Sequence, residues 1–128
     1  GTLIRPGFSS VEWTQLFQLS CEEWSSLSAK LGENVMFTRR GYTMVAEQAP
    51  TADMLAGAAE VHRQCGVRSY LVSGSRLGSL LPAINRGRVA AALHLPDGGV
   101  APHPAAMKGL YAACRRRGVD IRYRTSVT

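Results

Sequence analysis

The sequence predicts an α+β fold, a mixed and largely antiparallel sheet with flanking helices. Apolar residues recur at three- and four-residue spacing in three long segments, which is the period of an amphipathic helix. Shorter runs rich in β-branched and aromatic residues lie between these segments and are bounded by glycine or proline. Helices that alternate with strands and with one predicted hairpin favour helices layered on a sheet.

The first long helix is predicted to begin at a capping box formed by Ser9 and Glu12. It runs for about 22 residues, roughly 33 Å, and Gly32 is placed to end it because glycine tolerates the left-handed conformation. We expect one apolar stripe of this helix to pack against the sheet. The stripe consists of Trp13, Leu16, Phe17, Trp24, Leu27 and Leu31.

Two β-rich runs, residues 35–39 and 42–46, flank the dipeptide Arg40 and Gly41. A two-residue break that contains glycine is typical of a β-hairpin. The sequence therefore predicts that these two runs pair with each other.

A second helix is predicted from Thr51 or Ala52 to Cys65, and Gly66 ends it. His62 lies in the middle of this helix without a neighbouring metal-ligand partner. We interpret it as a surface histidine or a hydrogen-bonded one, and not as a metal ligand.

The C-terminal half alternates strands and helices. Pro104 suits the first turn of a helix, where its missing N–H would have no partner, and Gly118 ends that helix. His94 lies in an apolar strand, so we interpret it as a packed histidine. The predicted elements are a strand at 70–72, a short helix over 73–81, a strand at 89–95, a turn at 96–99, a helix from 103 to Gly118 and a strand at 119–125.

Composition excludes several classes of protein. The 128 residues suit one domain, and 45% hydrophobic with 19% charged residues is an ordinary balance. No apolar run has the length of a membrane span and no signal-peptide pattern opens the chain, so we expect a cytoplasmic protein without membrane contact. Cys21, Cys65 and Cys114 fit neither a zinc site nor a disulfide framework and are predicted to be reduced and semi-buried.

The net charge of +6 raises the possibility of nucleic-acid binding. Most arginines are scattered, however, and the one cluster, residues 115–117, closes a helix where cations suit the dipole. No aromatic residues are interleaved with the basic ones, so the sequence does not favour nucleic acid as a partner.

Six short segments, taken in order, resemble the β subunit of sarcosine oxidase and the wider group of FAD-dependent amine and amino-acid oxidoreductases. The resemblance spans nearly the whole chain, and the order and spacing of the segments make it more specific than any one of them. The segments are TLIR at 2–5, NVMFTRRG at 34–41, LGSLLPA at 77–83, GGVAPH at 98–103, RGVDI at 117–121 and TSV at 125–127.

The resemblance implies that residues 1–128 are part of an FAD-dependent oxidoreductase of the glutathione-reductase type, mainly its substrate domain. The G-x-G-x-x-G loop that holds the FAD pyrophosphate is absent from the sequence. We therefore expect an internal piece of a larger enzyme, which would bind FAD only together with the remaining FAD-domain sequence. The chain alone is expected to be colourless and inactive.

The resemblance also assigns candidate site residues. Arg5 corresponds to an arginine near the flavin ring, where a guanidinium binds a substrate carboxylate or stabilises the reduced flavin. Val127 corresponds to the residue whose backbone contacts the FAD adenine. No catalytic residue and no metal site is identified from the motifs.

His103 corresponds to the histidine that attaches FMN covalently at the subunit interface of heterotetrameric sarcosine oxidases. Here Pro102 and Pro104 replace the flanking arginine and aspartate of the family pattern. Three interpretations stay open: covalent FMN, non-covalent FMN or an interface with a second oxidase subunit, and a histidine that only caps a helix.

The function implied is oxidation of an amine or amino acid, sarcosine-like, at the carbon next to nitrogen. Two alternatives remain. The chain is a non-catalytic interaction domain derived from such an enzyme, with an exposed apolar face that drives self-association, or, less favoured, a small basic nucleic-acid-binding domain.

Overall fold

The computed structural model describes residues 1–127. Helices and strands alternate along the chain. The helices are α1 (Val11–Leu31), α2 (Ala49–Gln64), α3 (Gly74–Leu80) and α4 (His103–Arg116), with a turn of 3-10 helix at Arg86–Arg88. The strands are β1 (Thr2–Ile4), β2 (Thr38–Arg39), β3 (Tyr42–Ala46), β4 (Tyr70–Val72), β5 (Ala91–Leu95) and β6 (Gly99–Ala101).

The strands form two small antiparallel sheets. Sheet A has the order β1-β6-β2 and sheet B the order β3-β5-β4. The α+β class predicted from the sequence is confirmed, with the strands divided between two sheets. Helix α2 covers one face of sheet B, where Leu93 and Leu95 of the central strand pack on Leu55 and Ala58. The opposite face of β5 packs against α3.

Helix α1 matches the predicted helix, with a shift at its start. The cap is Ser10 and not Ser9, since the Ser10 hydroxyl accepts the Trp13 N–H at 3.4 Å. The helix ends at Gly32, whose φ of 63° is the left-handed conformation that favours glycine.

The apolar stripe of α1 is buried at one end and exposed at the other. Towards the C-terminus of α1, Leu27 and Leu31 pack against Ala106 and Ala113 of α4. Towards the N-terminus, Trp13 and Leu16 are exposed, as is Leu3 on neighbouring β1. We call Trp13 and Leu16 the open face, whereas Leu3 alternates with Ile4, which packs on Cys21 of α1, and so lies on the opposite side of sheet A. The expectation that the whole stripe packs on the sheet is therefore wrong: Trp24 packs on Ile4 and Ala101 of sheet A, but Leu27 and Leu31 pack on α4.

The predicted hairpin over Arg40 and Gly41 is wrong. β2 pairs with β6 in sheet A, whereas β3 pairs with β5 in sheet B. Residues 38–46 and 91–101 thus lie side by side as one long antiparallel ribbon. Two residues separate β2 from β3, but three residues separate β5 from β6. This one-residue excess interrupts the ladder, as a bulge does, and divides the ribbon between the two sheets.

Three smaller predictions need correction. The turn expected at 96–99 ends before Gly99, which opens β6, and α2 begins at Ala49 with Pro50 in its first turn. The strand expected at 119–125 does not form: this stretch is exposed, and its start is held to α4 by the Val119 N–H on the Cys114 carbonyl at 3.0 Å. Apolar and polar residues alternate in this segment, as in a strand. Within residues 1–127, however, no strand lies beside it to supply the backbone hydrogen bonds of a sheet.

Candidate functional site

Arg5, the predicted substrate-binding residue, follows β1 directly and is half-buried. Its guanidinium carbon lies 4.3 Å from the centroid of the Phe8 ring and 5.5 Å from that of Tyr42. Its Nη1 lies 3.5 Å from the sulfur of Met44. Cation–π contacts of this kind hold the cation on an apolar surface. None of the carboxylates within the described residues forms an ion pair with Arg5.

A cleft of about 180 Å³ adjoins the Arg5 side chain. One wall is the loop that follows β1, and the other is formed by β3 and the first turns of α2. The lining residues besides Arg5 are Gly7, Phe8, Ser9, Met44, Thr51, Met54, Leu55 and Ala58. A single cation in an otherwise mainly apolar cleft is suited to a small anion that carries a short apolar group.

Two buried polar side chains fix the loop that bears Phe8. The hydroxyl of Thr14 on α1 accepts the Phe8 N–H at 3.1 Å and donates to the Phe8 carbonyl at 3.2 Å. Nε2 of His62 on α2 lies 3.1 Å from the same carbonyl oxygen and donates to it, because a carbonyl can only accept. Both side chains are fully buried.

His62 is therefore the hydrogen-bonded histidine that the sequence left as one of two possibilities. Burial lowers the pKa of its imidazole; the bond to the Phe8 carbonyl raises that pKa and the nearby charge of Arg5 lowers it further. Its Nδ1 has no hydrogen-bond partner within residues 1–127. Burial of this ring therefore favours the neutral imidazole in the folded chain. The sequence carried no signal for Thr14, whose role depends on where the loop crosses the helix.

His103 is the first residue of α4 and is exposed. In the register of sheet A, Ile4 lies opposite Gly99 and Thr2 opposite Ala101. Arg5 and His103 thus extend from opposite ends of the β1–β6 pair, on the order of 15 Å apart along the strands. The structure does not bring the two candidate residues into one site, and the role of His103 stays a prediction.

Val127, the third candidate, is fully exposed in the stretch after α4. No other candidate residue lies beside it in the sequence or in a sheet. Its predicted backbone contact with the FAD adenine stays a prediction.

The glycine pair in the resembling segment serves strand packing. A Cβ on Gly99 would lie 2.4 Å from the Thr38 carbonyl oxygen, and one on Gly98 would lie 2.7 Å from Tyr42 Cβ. The missing side chains let strands approach each other, which leaves no open backbone for a pyrophosphate. Since the sequence also lacks G-x-G-x-x-G, the described residues do not fit the pyrophosphate of FAD.

A second cleft, of about 220 Å³, lies between α1 and the 96–98 connection. Arg68 Nε donates to Asp97 at 2.9 Å, and this bond holds the pKa of the Asp97 carboxyl below its ordinary value. Burial raises the pKa of the nearby Cys21 thiol, which keeps it protonated and unreactive. The sequence missed this cluster because its members are far apart in the chain. It anchors the connection between the two sheets.

The three cysteines are free, as expected. Within the described part of the chain there is no group of three or more side chains suited to a metal ion. Nor is any helix of that part long and apolar enough to cross a bilayer.

Sequence comparison gives relatives with defined activities. The sarcosine oxidase subunit beta of Rhodobacter capsulatus is 27% identical over 99% of this chain and 32% of its own length. The 4-methylaminobutanoate oxidase (formaldehyde-forming) of Paenarthrobacter nicotinovorans is 32% identical over 98% of this chain and 15% of its own length. The chain thus spans a third or less of the curated relatives that it matches.

Solved structures share the fold. The L-proline dehydrogenase of P. horikoshii superposes with a TM-score of 0.82 at 22% identity, over 92% of this chain and 31% of that one. The glycine oxidase of Geobacillus kaustophilus gives 0.78 at 18% identity, over 88% and 32%. The model of the FAD dependent oxidoreductase family matches residues 1–128. The resemblance seen in the sequence is confirmed, and the chain belongs to the FAD dependent oxidoreductase family.

Proposed function

We propose that this chain forms the substrate side of an FAD-dependent enzyme that oxidises a small amine or amino acid, sarcosine-like, at the carbon next to nitrogen. Residues 1–128 would be mainly its substrate domain, and the pyrophosphate of FAD would be held by sequence outside this chain. The family match supports the reaction class. Relatives and structural neighbours named for sarcosine, 4-methylaminobutanoate, proline and glycine support a small amine or amino acid as substrate.

The observation that carries the proposal is the state of Arg5. Its guanidinium is half-buried on Phe8 and Tyr42 at the edge of a cleft, without an ion-pair partner among the described residues. A guanidinium held in this way presents two parallel N–H donors to a carboxylate. The apolar walls at Met44 and Met54 would receive the methyl or side-chain carbons of the substrate. Arg5 would thus bind and orient the substrate.

Ligand titration of the 128-residue chain tests this role. We expect sarcosine to shift the nitrogen NMR signals of the Arg5 guanidinium with a Kd in the millimolar range. Arg5→Gln should weaken binding at least about tenfold, and Arg5→Lys less, because a charge–hydrogen-bond pair is worth about 1.5–3 kcal/mol. Arg76→Gln is the matched control, since Arg76 also lies over a ring, Tyr70, but outside this cleft.

Two outcomes would contradict the proposal. One is unchanged sarcosine binding in Arg5→Gln. The other is equal binding of methylamine, which has no carboxylate. The visible absorption spectrum of the purified chain is a separate check: stoichiometric FAD would show that the nucleotide site lies within these residues.

His103 enters the proposal as an FMN-binding residue at an interface with a second oxidase subunit. What supports it is an exposed imidazole in the first turn of α4, where helix N–H groups favour a phosphate. Mass spectrometry after incubation with FMN tests covalent attachment, and FMN fluorescence tests non-covalent binding. Equal results for wild type and His103→Ala would leave only the capping role. Val127 is proposed, on the resemblance alone, to contact the FAD adenine through its backbone.

The interaction-domain alternative is favoured by the open face. Trp13 and Leu16 are each more than half exposed, at 57% and 55%. Concentration-dependent sedimentation would support self-association, and a monomer at high concentration would argue against it. Steep salt-dependent retention on heparin would instead support the nucleic-acid alternative. We further propose a cytoplasmic location, which the three free cysteines support.

A further inference from the structure

We propose that His62 and Thr14 are positioning residues for Arg5: together they clamp the backbone of Phe8 between two helices, and Phe8 carries the guanidinium. This inference rests on the proposed role of Arg5 in binding a substrate carboxylate. Neither residue touches the proposed substrate cleft, so each would act through the loop.

The clamp satisfies the whole peptide backbone of Phe8. The Phe8 N–H donates to Thr14 Oγ1 at 3.1 Å, and the Phe8 carbonyl accepts from Thr14 Oγ1 at 3.2 Å and from His62 Nε2 at 3.1 Å. Thr14 belongs to α1 and His62 to α2, so the loop is tied to both helices at one residue. A movement of either helix would therefore be passed to Phe8.

Close packing removes the remaining freedom of the loop. A Cβ on Gly7 would lie 2.4 Å from His62 Nε2, which means that the imidazole rests directly against the Gly7 backbone. The Phe8 ring lies 4.3 Å from the Phe17 ring, centroid to centroid, so α1 also fixes the side chain. The Arg5 guanidinium also packs on the Phe8 ring, with its carbon 4.3 Å from the ring centroid. The position of the guanidinium therefore depends on that of Phe8.

The cost of the arrangement argues that it serves position and not only stability. His62 is fully buried and its Nδ1 has no partner within the described residues. A buried acceptor without a partner is destabilising, so the unpaired Nδ1 is a cost that this side chain carries. An imidazole is nevertheless present, and its other nitrogen holds the one carbonyl that sets the loop.

Variants of the 128-residue chain test the clamp. Thr14→Val and His62→Leu remove the hydrogen bonds to Phe8, whereas Thr14→Ser and His62→Gln keep a donor in nearly the same place. Thr38→Val is a matched control, because the Thr38 hydroxyl bonds the Met36 carbonyl at an exposed site. The measurements are urea unfolding, the NMR shift of the Arg5 side chain under the Phe8 ring current, and the Kd for sarcosine.

We expect Thr14→Val, which removes two hydrogen bonds to Phe8, and His62→Leu, which removes one, to remain folded and to change the Arg5 shift. Each should weaken sarcosine binding on the order of fivefold or more. Thr14→Ser and His62→Gln should restore both values. Wild-type shift and Kd in folded His62→Leu and Thr14→Val would overturn the inference, as would equal loss in the Gln and Leu variants. A different result would separate the two proposals. If the wild-type chain does not bind sarcosine, but Thr14→Val and His62→Leu still change the Arg5 NMR shift, the proposed function fails and the positioning role stands.

Discussion

Sheet B with α2 forms a closed region, whereas the N-terminal half of α1 with β1 forms an open one. In the closed region Leu93 and Leu95 have no exposed surface, and Ala46, Leu55, Ala58 and Val67 complete the core. In the open region Leu3, Trp13 and Leu16 keep more than half of their surface in solvent. The two regions are similar in hydrophobic pattern and differ in whether a packing partner is present.

Helix α1 shows why this difference is invisible in the sequence. Its apolar stripe is continuous, and the spacing of Trp13 and Leu16 is as regular as that of Leu27 and Leu31. The C-terminal pair packs with α4, and the N-terminal pair has no such partner in the described chain. Periodicity states which face of a helix can be buried, and the tertiary structure decides whether it is.

The largest expected effect separates the two regions directly. Leu93→Ala should lower the free energy of unfolding by about 3 kcal/mol, because it leaves a cavity in a closed core. Trp13→Ala removes a larger side chain but should change it by less than about 0.5 kcal/mol, because the ring is mostly in solvent. Urea unfolding of both variants measures the contrast. A loss from Trp13→Ala that approaches that of Leu93→Ala would mean that the open face is covered in solution.

The next contrast uses two glycines. Gly99→Ala should cost about 2–3 kcal/mol, since its Cβ would meet the Thr38 carbonyl oxygen at 2.4 Å and the strands would have to separate. Gly57→Ala, in α2 with no atom within 4 Å of the new Cβ, should raise stability by about 0.8 kcal/mol. Thermal unfolding of the two variants measures whether each change lowers or raises the stability. Neutral Gly99→Ala would show that sheet A is loosely paired.

A pH effect of intermediate size comes from the boundary between the regions, at His62. Its pKa in the folded chain is below the ordinary 6.5, chiefly because of burial, with Arg5 acting in the same direction. The unfolded chain therefore takes up a proton first, and stability falls as the pH drops below about 6.5, by at most about 1.4 kcal/mol per pH unit.

Urea unfolding between about pH 5 and pH 7.5 should show this slope in wild type and a smaller one in His62→Gln. A residual slope is expected, because burial also lowers the pKa of His94. An identical pH dependence in both proteins would contradict the neutral state of the buried imidazole.

The smallest effect concerns the ion pair beside the second cleft. Asp97→Asn should lower stability by about 0.5–1 kcal/mol, because Arg68 is largely exposed and solvent screens the pair. Added salt should reduce the difference from wild type. Glu60→Gln, which removes the solvent-exposed partner of Arg63, should have no measurable effect in the same titration.

Local signals were enough to predict most helices. Gly32 and Gly66 end α1 and α2 with positive φ, and Pro104 opens α4, as their chemistry requires. The pairing of strands was not predictable in the same way, since Gly41 looks like a hairpin glycine although its strands belong to two sheets. Register depends on residues 91–101, which are distant in the sequence.

The candidate site was predicted in part. Arg5 was selected by resemblance, and the structure adds the rings and the cleft around it. Thr14 escaped notice, and His62 was noted only as a surface or hydrogen-bonded histidine, because their partner is the backbone of Phe8 and a backbone group is not specified by residue identity. His103 and Val127 were chosen by the same resemblance as Arg5, but the described fold brings neither of them to its cleft.

The unequal spacing in the long ribbon restricts the length of one connection. The connection between β5 and β6, residues 96–98, is one residue longer than the facing connection between β2 and β3, residues 40–41. Deleting any one of Pro96, Asp97 or Gly98 would give both ladders the same offset and remove the irregular step that divides the ribbon between the two sheets. Surface loops generally tolerate insertions and deletions. This connection should instead keep a fixed number of residues, even where the residues themselves can be substituted.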